Sequence, residues 1–164
     1  MAITVYAAAW FFPFVLPICL YVIYTDISTM KITNGANLLL AAVFVVIGLI
    51  ALPFDDYLWR LANLVIVLIA GIVLNAAGAM GAGDSKFLAA AAPFVALGDL
   101  NLLIWLFAST LLAAFVTHRF AKFTPLRQLA PNWTSWEQGK KFPMGLALGS
   151  ALSLYLGLGL LYGA

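Results

Sequence analysis

The chain has 164 residues, of which 65% are hydrophobic and only 9% charged, with a formal net charge of +2. Soluble domains carry roughly 25% charged residues, so this composition excludes an ordinary water-soluble fold and makes the lipid bilayer the first partner, with no nucleic-acid partner expected. A single cysteine, Cys19, excludes an internal disulfide and cannot supply the paired thiolates of a zinc site.

Uncharged runs fall at Met1–Thr25, Ile32–Phe54, Leu61–Gly83, Phe87–Gly98, Leu100–Thr117 and Phe142–Ala164. A bilayer core of ~30 Å needs roughly 20 helical residues. The first run has no Lys or Arg before Lys31 and so lacks the basic flank of a cleavable signal peptide. It reads as a retained transmembrane helix ending at Asp26. The connection "TDISTMKITNG" follows, with Asn34-Gly35 as a turn signal and Asn34 or Thr33 as the cap of the second span. The third run ends in "GAGDSK", where Gly81, Ala82 and Gly83 precede Asp84 and Lys86. Two readings stand side by side: an interfacial turn marked by Lys86, or a glycine-shaped loop that presents a carboxylate to an extended chain.

Phe87–Gly98 is short, since its 12 residues reach only ~18 Å as an α-helix. Fused to the next run it would make a helix of ~46 Å with Asp99 buried near its centre. Charge arbitrates. If the short run crosses separately, Lys31, Lys86, Arg119, Lys122, Arg127, Lys140 and Lys141 share one side and Arg60 lies opposite. The positive-inside rule prefers this arrangement, an all-α bundle of six spans with both termini extracytoplasmic. The basic connection from His118 to Lys141 is then cytoplasmic, His118 reads as interfacial or solvated, and Trp133 and Trp136 read as interface anchors. The last span opens with Phe142-Pro143-Met144-Gly145, its proline tolerated in a first turn. Gly145, Gly149, Ser153 and Gly157 recur every four residues as a small-residue packing face.

The same parity puts Asp26 and Asp84 on the cytoplasmic side and Asp55, Asp56 and Asp99 outside. Two carboxylates in a partly dehydrated site do not readily both ionise, so a proton is shared. The ionised member can deprotonate water while the protonated member hydrogen-bonds a peptide carbonyl. That chemistry needs no metal and no cofactor. Serine-based catalysis would have only His118 as a base. Two readings from other classes predict different behaviour. A small proton-coupled transporter would need a polar path through the bundle, and a non-catalytic subunit of a secretion apparatus would tolerate asparagine at either acid.

Three motifs in order resemble a known family. "GAGDSKFLAA" resembles the GxGD motif of prepilin peptidases, "TDISTMKITN" their first aspartate motif, and "FPMGLALG" the Pro-x-Gly segment that opens their last span. Thr33 stands where the family usually has proline, and Met144 where an aromatic is common. The resemblance implies that Asp26 and Asp84 are the catalytic aspartates. Around them Gly81, Gly83, Lys86, Asn34, Pro143 and Gly145 are motif or loop-shaping positions. It implies one transmembrane peptidase domain over residues 1–164, in the bacterial inner membrane. The cytoplasmic domain with paired CxxC motifs found in long prepilin peptidases has no counterpart here, so N-methylation is not expected. The implied substrate is a type IV prepilin-like precursor, cut at its cytoplasmic leader just ahead of the hydrophobic segment. The short chain is most similar to peptidases of tight-adherence (Flp) pili, with archaeal preflagellin peptidases a related class. The sequence leaves the oligomeric state open.

Overall fold

The computed structural model describes residues 1–139 and 141–164; Lys140, one of the basic residues in the charge map, lies outside the described residues. Among the described residues the chain forms six α-helices and no strand: α1 (Val5–Thr29), α2 (Asn34–Ala51), α3 (Phe54–Ala76), α4 (Ala82–Ala91), α5 (Leu100–Phe123) and α6 (Met144–Tyr162). All but α4 are long and apolar enough to cross a membrane. The all-α bundle expected from the apolar runs is the observed architecture.

The first two helices start on a threonine cap. The Thr4 hydroxyl accepts from the Ala7 N–H at 3.1 Å, and the Thr33 hydroxyl from the Ala36 N–H at 3.2 Å. Of the two candidates to cap α2, the cap is therefore Thr33. Asn34 is the first helical residue, with its side chain free to serve another partner.

The small-residue face of α6 does what its spacing predicts. It packs along α1, the most extensive helix pair in the bundle. A Cβ at Gly149 would lie 2.9 Å from Ile23 Cγ1 and 3.1 Å from the Cys19 carbonyl oxygen. Only residues without a side chain let two backbones approach this closely in an apolar medium.

The chain passes six times between the two ends of the bundle. At one end, which we call the site end, Gly83 meets Ile32, Asp26 meets Gly145 and His118 meets Phe142. At the far end Asp99 accepts from the N–H groups of Ala2 and Ile3, and Tyr57 donates to the Val45 carbonyl. The short fourth run makes its passage by not remaining α-helical. After α4 come a 3-10 turn at Ala92–Phe94, extended Val95 and Ala96, and a second 3-10 turn at Leu97–Asp99. Ten α residues at ~1.5 Å, six 3-10 residues at ~2.0 Å and two extended residues at ~3.3 Å give roughly 33 Å. That matches the length of α1 between Thr4 and Asp26, about 33 Å at ~1.5 Å per residue.

A broken helix at this depth leaves backbone groups without helical partners, which is tolerated only where protein supplies substitutes. Here Arg60 Nη1 donates to the Phe94 carbonyl at 3.4 Å, and the Ala96 N–H donates to the Tyr155 hydroxyl at 3.1 Å. Tyr155 in turn donates to Asp99 Oδ2 at 2.8 Å. Phe94 itself is fully buried against Phe11 and Phe44, with ring centroids 4.9 and 5.4 Å away. These three packed rings lie along the chain between the polar cluster at the far end and the site end.

Candidate active site

Asp26 lies in the last turn of α1 but does not end it, because the helix continues to Thr29 and closes on Met30 in a left-handed conformation. Its side chain is 5% exposed and faces the start of α6. There the Gly145 N–H donates to Asp26 Oδ2 at 2.6 Å. Gly145 is the second residue of α6, behind Pro143 at the N-cap, so its N–H is one that no helical carbonyl can reach. The carboxylate of one helix thus caps another, 119 positions away in sequence. No side chain fits between them. A Cβ at Gly145 would lie 2.8 Å from Asp26 Cβ and 2.9 Å from Oδ2.

Asp84 lies in the first turn of α4, three residues after Gly81 at its N-cap, and is half-buried. Gly83 is therefore helical, and the loop expected around the acid is confined to the turn that ends at Gly81. A carboxylate in a first turn faces the positive end of the helix dipole. At Gly81 a Cβ would stand 2.7 Å from Asp84 Oδ2. The start of α4 is anchored to α2 in two places: Lys86 Nζ donates to Asn34 Oδ1 at 2.9 Å, and Asn37 Nδ2 donates to the Gly83 carbonyl at 3.5 Å. Against α3, Gly71 gives Ser85 room, with its missing Cβ only 3.1 Å from Ser85 Cβ.

Asp26 and Asp84 line one cavity of about 350 Å³ at the site end. Its wall is completed by Met30, Lys31, Ile32, Gly81, Phe142 and Met144. Residues from the starts of α4 and α6 both line it, so the acids share a small space with Lys31 and with the start of the helix whose Gly145 N–H holds Asp26. Of the residues expected near the acids, Gly81 and Gly83 line the cavity directly, Gly145 holds Asp26, and Asn34 and Lys86 brace α4 from outside.

One residue departs from its sequence reading, and one acid acquires partners the sequence does not show. His118 is not solvated: α5 continues past it to Phe123, and its ring is 3% exposed, stacked on Trp136 at 5.1 Å and edge-on to Phe142 at 5.8 Å. Asp99, at the far end from Asp26 and Asp84, is buried under three donors, Ala2 N–H at 2.6 Å, Ile3 N–H at 3.0 Å and Tyr155. The part missed altogether is the donor to Asp26. It is a backbone N–H, and the only sequence signal for it is a glycine three residues after the start of the last apolar run.

The sequence model of the type IV leader peptidase family matches residues 13–118, roughly two thirds of the chain. The matched stretch contains both Asp26 and Asp84 and ends before Pro143 and Gly145. No curated protein and no solved structure matches the chain. With a six-helix membrane bundle around a two-carboxylate cavity and a family match across both acids, the chain belongs to the type IV leader peptidase family, the prepilin peptidases.

Proposed function

We propose that the chain is an aspartic endopeptidase in which Asp26 and Asp84 jointly activate water to cut the leader from a prepilin-like precursor, most similar to those of Flp pili. The observation that carries this reading is the shared cavity: two acids from separate helices, one sequestered and one half-buried, face the same 350 Å³ space.

The pair works with one proton between its members. The ionised carboxylate takes a proton from water as its oxygen bonds to the scissile carbonyl carbon. The protonated carboxyl hydrogen-bonds the carbonyl oxygen as negative charge develops on it. Collapse of the tetrahedral intermediate breaks the C–N bond, and a carboxyl proton passes to the departing nitrogen. Gly145 acts as a positioning residue by holding Asp26 Oδ2. Lys86 and Asn34 hold the start of α4, and with it Asp84.

The site end faces the cytoplasm of the inner membrane in this reading. Lys31, Lys86, Arg119, Lys122, Arg127 and Lys141 belong to helix ends or connections on that side, and Arg60 to the far end, which suits the positive-inside rule. A transporter reading is disfavoured by the packed rings of Phe11, Phe44 and Phe94, which stand on helices between Asp26 at the site end and Asp99 at the far end. Co-expression with a tagged prepilin tests the proposal. Wild type should shorten the precursor by its leader, whereas Asp26→Asn and Asp84→Asn should leave it full length. Leader removal by both variants would return the chain to a non-catalytic assembly role.

A further inference from the structure

We infer that the apolar groove between α3 and α5, floored by α4 and α6, seats the hydrophobic helix of the substrate immediately below the cleavage site. This rests on the proteolytic reading above. Among the described residues α3 and α5 scarcely touch, and they are the least buried of the long helices. The space between them is a groove of about 390 Å³, apolar except for Asn63.

What singles out an occupant is the continuity of this groove with the two-acid cavity. On α4 the groove is lined by Phe87, Leu88 and Ala91, which stand three, four and seven residues after Asp84. Positions so spaced lie on one face of a helix. On α6 it is lined by Leu148, Ala151 and Leu152, and Met144 of the cavity wall stands four residues before Leu148. Both helices therefore carry the same face out of the cavity and into the groove, with the groove starting about one helical turn, ~5.4 Å, below the acids. A prepilin-like precursor has the matching order: a scissile bond followed directly by an apolar helix. With the bond in the cavity, that helix enters the bilayer at the upper end of the groove. Helix-in-groove docking of this kind leaves the outer face of the substrate helix in lipid.

Photo-crosslinking in membranes tests this. The crosslinker is placed one at a time at Ala92 and Ile104, which line the groove, and at Leu38 and Trp105, outside its lining, with a prepilin tagged on its mature part. The groove positions should capture the prepilin helix at least about tenfold more than the outer positions. Ala92→Phe, which fills the groove away from the acids, should raise KM for the membrane-embedded precursor about tenfold with kcat held. Cleavage by wild type with equal capture at all four positions, as lipid in the groove would give, overturns the inference and leaves the protease standing. Absence of cleavage by wild type overturns the protease reading and this inference with it.

Discussion

Adding one methyl group at Gly145 should disable the site while leaving the bundle folded. In Gly145→Ala the new Cβ would stand 2.8 Å from Asp26 Cβ, 2.9 Å from Oδ2 and 3.1 Å from Cγ. Carbon atoms rest at about 3.5–4.0 Å, so Asp26 or the start of α6 must move by at least ~0.7 Å. Asp26 Cβ is fixed to the α1 backbone and cannot swing away as a long side chain would. A displacement approaching 1 Å at a reacting group costs about a hundredfold in rate. The stability cost is smaller: overpacking at about 1–3 kcal/mol is partly offset by the ~0.5–1 kcal/mol that alanine gains over glycine in a helix. Gly149→Ala is the matched control. It crowds α1 equally, with Cβ 2.9 Å from Ile23 Cγ1, but one turn away from the carboxylate. Initial cleavage rates of a membrane-embedded prepilin, normalised to folded protein by thermal unfolding in detergent, separate the two effects. Gly145→Ala should lose about a hundredfold in rate, and Gly149→Ala should lose stability with less than about a tenfold loss in rate. Equal rates for the two folded variants would refute the claim that Gly145 acts through Asp26.

Other consequences lie away from the acids. Tyr155→Phe strands the Ala96 N–H and removes one donor from Asp99; each buried group left unpaired costs about 1–3 kcal/mol, so the midpoint of thermal unfolding should drop clearly. Because this cluster is at the far end, the folded fraction should cleave normally, and a matching loss of specific activity would contradict the separation of the two ends. Sidedness is open to cysteine labelling in a Cys19→Ala background. Lys31→Cys should react with a membrane-impermeant maleimide only in inverted vesicles, and Asp55→Cys only in intact cells; the opposite pattern would reverse the proposed orientation.

Much of this architecture is written locally. Long apolar runs fix where the five long helices lie, and the alternation of Lys and Arg clusters implies six passages. The four-residue glycine spacing in "GLALGSALSLYLG" announces the face that packs on α1. What could not be read is carried by contacts between distant residues. Pro93 marks where an α-helix can break, but the course of the chain beyond it is not local, because Arg60 and Tyr155, which satisfy the freed backbone, lie 34 and 59 positions from Phe94 and Ala96. His118 beside Arg119 reads as solvated until Trp136 and Phe142 fold over it. Asp26 and Asp84 stood out because carboxylates are costly near lipid, but the backbone N–H of Gly145 carries no signature in side-chain chemistry.

The central claim is that the two acids act as one unit, and a double-mutant comparison tests it most directly. Purified wild type, Asp26→Asn, Asp84→Asn and the double variant are assayed on the same prepilin in lipid, with folding checked for each. Groups that act together are strongly non-additive. Each single variant should therefore fall to background, and the double variant should fall no further. A single variant that keeps more than about a hundredth of the wild-type rate, with the double variant losing the product of the two effects, would show two independent acids and contradict the account.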